Sequence, residues 1–552
     1  MAVITINDKD VELADNERLN LIQAAQRAGY EVPHYCWHPA LTVVASCRMC
    51  LVEVGEKKPD GTLAMQPRVV PACQTPARPG MVVRTNSEKA KAAQAATLEY
   101  LLLNHPLDCP VCDQAGECYL QDYSYKFGRG YSRFKEDKII RPDKDYIGDN
   151  IALFTDRCVM CSRCVRFTRE ISGTAELQII HRGAHAEIDI FPGQPCNNKL
   201  AGNVVDLCPV GALCSKDFLY KQRVWFLKNT PSVCPRCSTG CSIVVDHHKD
   251  IVYRLRPRAN PQAQGWFMCD DGRFGYKYIN AADRLISPMV RHDKHTFHVG
   301  WEEVLPTLRR QVRQVVGEAP QSAWLVLSPW LTCEEAFLAV RWFRSLSPQT
   351  RLALGPVPVI GEDDRYPKDV HGNPPPPEKT RFTIRAEKCP NRLGVEAILR
   401  HFESQVQTFD AVLAAANKGQ IQALYLTGGY PEPWLSDEQA KVLEQVGFVV
   451  VQDILPSAAT TLAKYVLPGA TFAEKDGTFV NHAGLAQAIH RAVVPPGEAR
   501  NDARIFMELA ERRGLPHAPT LRRELAAEVP FFALLKEGQI DPLGVFLNGK
   551  QN

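Results

Sequence analysis

The sequence has little imbalance of charge, with 65 Lys and Arg against 62 Asp and Glu over 552 residues. A net charge of +3 argues against nucleic acid or an anionic membrane surface as the main partner. There is no stretch of about 18 consecutive apolar residues, so no spanning helix is expected. The opening Met-Ala-Val-Ile-Thr-Ile-Asn-Asp-Lys-Asp lacks a basic region followed by an apolar run, so no signal peptide is expected. A P-loop, a dinucleotide fingerprint and a nucleophile–base pair are also missing. What the chain has in quantity is cysteine, 19 in all. Without a leader these are expected to be reduced thiols serving as metal ligands, not a disulfide framework, in the cytoplasm. The 45% apolar and 23% charged residues are ordinary for a globular chain, and the length suggests about three to five domains.

The densest motif is His105-Pro-Leu-Asp-Cys109-Pro-Val-Cys112-Asp-Gln-Ala-Gly-Glu-Cys118, an H-x3-C-x2-C-x5-C pattern. Pro106, Pro110 and Gly116 supply turns that could bring one imidazole and three thiols together. Alone it suits either zinc or an iron–sulfur cluster with histidine as fourth ligand. Three further cysteine sets around it decide for the cluster. An Ala-rich helix with Ser87 as N-cap should run to about Asn104 and deliver His105.

Upstream, alternation at Val3, Thr5, Val11 and Leu13 suggests two short strands. A helix from about Arg18 to Ala28 should follow, with Leu19, Leu21, Ile22 and Ala25 on one face. Cys36, Cys47, Cys50 and Cys73 then give C-x10-C-x2-C-x22-C. This small domain resembles the plant-type ferredoxin fold, which holds a 2Fe–2S cluster on four thiolates, in a variant spacing. Glu56 to Pro67, turning at Pro59-Asp60-Gly61, reads as a hairpin excursion.

Cys158, Cys161 and Cys164 form C-x2-C-x2-C, and Cys208-Pro209 follows after 43 intervening residues. No second triplet precedes Cys208, so it is expected to close the same 4Fe–4S cluster. Cys196 and Cys214 lack partner spacing and read as buried thiols. Cys234, Cys237, Cys241 and Cys269 (C-x2-C-x3-C-x27-C) resemble the N-terminal 4Fe–4S lobe of molybdopterin-dependent oxidoreductases, with a zinc ribbon as the bland alternative. Beyond about 285 the pattern turns to alternating strands and helices: strand from Ala323, helix Cys333 to Leu346, strand from Ile421, helix Ser436 to Val446, strand Phe448 to Gln452. That order implies a parallel sheet covered on both faces. Gly355 to Thr380, with four consecutive prolines from Pro374, reads as a long loop or linker, and the last 35 residues or so as a tail. Lys464-Tyr-Val-Leu-Pro-Gly-Ala-Thr-Phe-Ala-Glu-Lys-Asp-Gly-Thr-Phe-Val-Asn again resembles the molybdopterin oxidoreductases.

In this order the motifs resemble the family of large iron–sulfur subunits of bacterial NADH–quinone oxidoreductase, respiratory complex I. The resemblance covers about residues 1–510. It implies an α+β multidomain chain: a 2Fe–2S ferredoxin-like domain (1–80), a His/Cys-ligated 4Fe–4S domain (81–125) and a second 4Fe–4S domain (140–220). A molybdopterin-oxidoreductase-type lobe (227–283), an α/β domain lacking its cofactor (284–515) and a C-terminal tail (516–552) would follow. The resemblance gives Cys36, Cys47, Cys50 and Cys73 a 2Fe–2S cluster. It gives 4Fe–4S clusters to His105, Cys109, Cys112 and Cys118, to Cys158, Cys161, Cys164 and Cys208, and to Cys234, Cys237, Cys241 and Cys269. No molybdopterin, NADH or FMN is expected on this chain, and no catalytic residue. The flavin- and NADH-binding subunit and the other iron–sulfur subunits of the hydrophilic arm would be its partners, with membrane contact only through the complex on the cytoplasmic side. Electrons would pass from the flavin subunit toward quinone, and the fourth cluster would lie off that path. Neutral His105 in place of a thiolate removes one negative charge, a device for tuning a potential.

A cytoplasmic formate dehydrogenase shares much of this pattern, but Cys333 and Cys389, the cysteines left after Cys269, lack the context of a catalytic metal ligand. An iron-only hydrogenase would need two ferredoxin-type repeats and a cysteine-rich active-site domain. The diaphorase subunit of an NAD-linked hydrogenase should end near residue 220. A pure scaffold with clusters as folding staples suits the C-terminal half better than residues 1–220. His34 and His38 read as neighbours of Cys36 and not as ligands, His181 and His185 as incidental, and Gly428-Gly429 as a tight turn.

Overall fold

The computed structural model describes residues 2–15, 17–58, 60–293 and 295–549. The chain forms two compact units, one of residues 1–226 with 366–381 and one of residues 227–365 with 382–552. Among the described residues no helix is long and apolar enough to cross a membrane.

The first unit begins with a sheet of β1 (Ala2–Ile6), β2 (Lys9–Leu13), β3 (Leu51–Lys57), β4 (Leu63–Met65) and β5 (Met81–Arg84), in the order β2-β1-β5-β3-β4. Ile4, Ile6, Val11 and Leu13 alternate inward, as period-2 patterning requires. The two strands join through Asn7 and Asp8, both at positive φ, which suits a two-residue hairpin. Helix α1 (Leu21–Ala28) starts three residues later than the sequence suggests. The cause is a capping box: the Asn20 side chain accepts from the Gln23 amide while the Gln23 side chain reaches back to the Asn20 amide. The excursion after β3 is a hairpin whose Asp60 carboxylate accepts from the Thr62 amide and hydroxyl. Pro59 lies outside the described residues. Ser87 caps α2 (Glu88–Leu102) as expected.

Beyond α2 the first unit has little regular structure: α3 (Tyr119–Phe127), α4 (Arg163–Phe167), α5 (Asn203–Leu207), a pair of short strands β6 (Ile151–Leu153) and β7 (Leu213–Ser215), and a hairpin over 177–190. The proline-rich stretch read as a linker is packed in part. Residues 366–381 belong to the first unit, where the Lys368 amide donates to the Ser172 carbonyl at 2.9 Å. A Cβ at Gly173 would lie 2.0 Å from the Lys368 carbonyl oxygen, so that close approach depends on glycine.

The second unit opens with an antiparallel sheet of β8 (Lys228–Val233), β9 (Ser242–His248) and β10 (Ile251–Pro257), followed by α6 (Asp270–Phe274). Its core is a seven-stranded sheet of β11 (Met289–His292), β12 (His295–His298), β13 (Ala323–Leu327), β14 (Arg351–Leu354), β15 (Ala423–Thr427), β16 (Phe448–Asp453) and β17 (Tyr465–Pro468). The order is β12-β11-β17-β16-β15-β13-β14, with the last five strands parallel and β11 and β12 an antiparallel edge not foreseen from sequence. Leu325, Leu327, Tyr425 and Val450 face one buried cluster, and Trp324, Val326, Leu424 and Val451 face another. Helices α7 (Trp301–Glu318) and α8 (Cys333–Leu346) cover the first of these faces. Two-sided burial explains why these strands read as continuous apolar runs. Helix α8 spans the expected residues because Thr332 and Glu335 form a second capping box.

The C-terminal stretch is not a tail. Residues Ala518–Glu528 form a helix, and Leu521, Leu525, Phe532 and Leu535 sit in the same core as α8. Burial of each such side chain stabilises by about 1.5–3 kcal/mol. Buried Arg522 donates to Glu334 at 2.9 Å and to the Thr478 hydroxyl at 2.8 Å. The missed signal was the Leu521/Leu525 spacing, whose partners lie almost 200 residues upstream.

Candidate metal centres

Cys36, Cys47, Cys50 and Cys73 are carried by loops around the first sheet. Ala45 and Arg48 flank Cys47 at positive φ, so the backbone there curls and aims its amides inward. The Ser46 and Cys47 amides donate to the Cys36 thiol, and the Cys47 and Cys73 thiols hydrogen-bond to it as well, which holds it well below the ordinary thiol range. The same sharing pushes Cys47 and Cys73 up. A pocket of close thiols met by amide donors suits anionic sulfur.

Cys158, Cys161, Cys164 and Cys208 line one small cavity with Pro209 and Val210. Met160 and Ser162, at φ 50° and 60°, turn the C-x2-C-x2-C loop so that successive thiols face inward. The amides of Val210, Ala212 and Leu213 point at Cys208. Burial pushes Cys158 up to about 12 and Cys161 up to about 11, so these thiols carry protons that a metal would displace.

His105, Cys109, Cys112 and Cys118 line another cavity, of about 250 Å3. Helix α2 ends just before His105, and the Lys138 ammonium caps it through the carbonyls of Leu102 and Leu103. Burial, then the positive charges of Lys138 and Arg157, lower His105 to about 4. Its imidazole is therefore neutral near pH 7, the form that binds metal. Burial pushes Cys118 up to about 11, while Cys109 stands exposed.

The second unit holds the fourth set. The Cys234 amide donates to the Cys241 carbonyl at 2.8 Å, and the Gly272 amide to the Cys269 thiol at 3.3 Å. A Cβ on Gly272 would lie 2.9 Å from the Cys234 sulfur and 3.5 Å from that of Cys269, so this α6 glycine admits both. Burial pushes Cys234 up to about 12. Among the described residues no three His, Cys, Asp or Glu converge to hold one metal ion. The second and third sets surround a volume instead, which is the arrangement a cluster of several irons and sulfides asks of its ligands. The thiol sets and the neutral imidazole fit such groups.

Three of the four sets are neighbours, in an order that differs from the sequence. The Arg166 guanidinium donates to the carbonyls of Cys36 and Cys161, and Arg163 to those of Trp37 and Leu207. These contacts set the Cys36 loop beside the Cys158–Cys208 set. On the other side a Cβ at Gly211 would lie 2.2 Å from the Cys112 sulfur, so the Cys208-Pro-Val-Gly loop lies directly against the His105 set. The set second in the chain is thus third in space. Arg157, Arg163 and Arg166 escaped the sequence reading; the visible signal was Cys161-Ser-Arg163-Cys164-Val-Arg166, with two cations inside a cysteine motif.

The remaining residues behave as structure. Cys214, buried near Cys112, donates to the Gly211 carbonyl, and Cys196 is buried beside Asn198. His34 is tied to the Val32 carbonyl, while His181 and His185 are exposed. Cys333 and Cys389 are fully buried, Cys333 against Asn391. Gly428-Gly429 closes onto Asp453, whose carboxylate accepts from the Gly429 amide and the Trp434 indole, each at 2.8 Å.

Five family models match along the chain. They are described as a 2Fe-2S iron-sulfur cluster binding domain (residues 1–88), an NADH-ubiquinone oxidoreductase-G iron-sulfur binding region (94–133), and an NADH-quinone oxidoreductase subunit 3 ferredoxin-like domain (148–214). A molybdopterin oxidoreductase Fe4S4 domain (227–281) and a molybdopterin oxidoreductase domain (398–512) follow. The G subunit of NADH-quinone oxidoreductase from Rickettsia bellii is 29% identical over 97% of the chain and 90% of the relative. Its counterpart from Rickettsia felis is 38% identical over 57% of the chain and 46% of the relative, less than half of its length. A solved NAD+-reducing NiFe-hydrogenase overlaps 40% of the chain and 91% of its own at 26% identity and a TM-score of 0.35. The cluster-binding models in this order, together with the named relatives, make the chain similar along most of its length to the G subunits of the NADH-quinone oxidoreductases.

Proposed function

We propose that the chain is the electron-relay subunit of a proton-translocating NADH–quinone oxidoreductase. Cys36, Cys47, Cys50 and Cys73 would hold a 2Fe–2S cluster. His105 with Cys109, Cys112 and Cys118, Cys158 to Cys208, and Cys234 to Cys269 would hold three 4Fe–4S clusters. When bound, such clusters supply one-electron carriers whose potentials follow ligand type, hydrogen bonding and solvent exposure.

The observation that carries this reading is the line of three dissimilar ligand sets, joined through Arg166 on one side and Gly211 on the other. Folding staples have no need of such a line; a relay does. The chain's own residues exclude water from the middle set, keep His105 neutral and hold the loops in register. At the His105 end Cys109 is exposed beside Leu107 and Tyr125, which are 86% and 87% exposed, a face suited to another iron–sulfur subunit. The flavin- and NADH-binding subunit would deliver electrons at the Cys36 end. The Cys234 set and the α/β domain would serve structure and docking, without molybdopterin. The complex would present this chain on the cytoplasmic side of the membrane.

Cys161→Ser in the assembled complex tests the reading. The expected result is loss of one 4Fe–4S EPR signal and of NADH-to-quinone electron flow, with flavin reduction by NADH unchanged. Undiminished quinone reduction after that signal is gone would overturn the relay.

A further inference from the structure

Arg163 and Arg166 are 5% and 7% exposed, yet among the described residues no carboxylate lies within ion-pair distance of either. The Arg166 donors go to the carbonyls of Thr42, Cys36 and Cys161 and to the Ser162 hydroxyl. Arg163 donates to the carbonyls of Trp37 and Leu207, and its Nε has no partner. Glu170, whose negative charge favours the Arg166 cation, makes no ion pair with it: both its oxygens accept from Thr42. Two guanidiniums in a dry interior with only neutral acceptors are strongly unfavourable as they stand. Through these carbonyls Arg166 sits on both the Cys36 loop and the Cys161 loop, and Arg163 on the residues next to Cys36 and Cys208.

We propose that Arg166, backed by Arg163, is the counter-charge shared by the Cys36 set and the Cys158 set, and that it raises the reduction potential of both. This deepens the relay reading and rests on it. Reduction of either centre adds one electron, supplied by NADH through the flavin subunit or by dithionite in a titration, and so adds one negative charge. A fixed cation beside both centres stabilises each reduced form more than the oxidised one. Arginine keeps its proton at all working pH values, so no proton is taken up at this site with the electron. The same cation makes Arg166 a positioning residue, since its fork also holds the two ligand loops together.

The test is a potentiometric titration of the purified complex followed by low-temperature EPR, with iron counted in each preparation. In Arg166→Gln with full iron, both centres should need a lower potential, each by at least tenfold in oxidised-to-reduced ratio, about 59 mV for a one-electron couple. The His105 centre should stay in place, and Arg166→Lys should restore both potentials. Unchanged potentials in an iron-replete Arg166→Gln complex would overturn the proposal. If Arg166→Gln fails to assemble, Arg166→Lys decides. Full iron and wild-type potentials in the lysine variant support a charge requirement, and iron loss as complete as in the glutamine variant refutes it. Absence of the 2Fe–2S signal in the wild-type complex would instead defeat the underlying relay reading.

Discussion

Both units pair buried cations with carboxylates, but the first also buries two arginines that meet none among the described residues. In the second unit deeply buried cations meet carboxylates: Arg284 pairs with Glu474, Lys475 with Glu335 and Asp502, and Arg522 with Glu334. In the first, Lys144 and Arg157 do the same with Asp189 and Asp108, but Arg163 and Arg166 meet only backbone carbonyls and a hydroxyl, around loops with little regular structure. A unit whose charges balance internally can fold on its own core. A unit that leaves cations unmatched is completed by what it binds, and its stability is then binding free energy. On the proposed reading the contrast separates roles: a relay needs fields aimed at its carriers, whereas a domain kept for docking would need only to hold its shape.

The largest expected effect that would break this contrast is removal of iron. Chelation under reducing conditions should abolish hydrogen-exchange protection over residues 36–50 and 158–215 while β13 and β16 keep theirs. Equal loss in both regions would show that the second unit depends on metal as much as the first. Next comes Arg522→Ala, which strands Glu334 in the interior and should cost about 3–5 kcal/mol by denaturant titration of the second unit. A negligible cost would mean that water reaches the pair. Gly211→Ala should cost about 1–3 kcal/mol through the forced contact with Cys112, and should shift the EPR line shape of the His105 centre before those of the other two. An unaltered spectrum would show that the Cys208 loop does not press on that set. The smallest effect is Ser87→Ala, about 1 kcal/mol from loss of the cap on α2, read as earlier fraying of the helix that leads to His105.

Much of the fold was legible in the sequence because local chemistry announced it. The helix Cys333 to Leu346 was read from the strand–helix alternation, the start of α2 from Ser87, and the parallel strands from apolar runs. Helix α1 was misplaced because its cap is an asparagine bonded to Gln23, a weaker cue than the apolar face around it. The tail was misread because Leu521, Leu525 and Arg522 draw their meaning from Glu334 and α8, contacts that no local pattern reveals. The four candidate sets were read from spacing, with Cys73, Cys208 and Cys269 as their distant members. Their spatial order was not visible: it depends on Gly211 admitting the Cys112 sulfur and on Arg166 reaching 130 residues back to Cys36.

The central claim is that this chain carries one two-iron and three four-iron centres and leaves its α/β domain without a metal cofactor. It is tested most directly by counting iron, molybdenum, tungsten and zinc per polypeptide in the anaerobically purified complex, corrected for the iron of the other subunits. The expected result is about 14 iron for this chain, with no molybdenum or tungsten. About 10 iron would leave one four-iron site vacant, with Cys234 to Cys269 the first suspect. Stoichiometric molybdenum or tungsten bound to this chain would contradict the account.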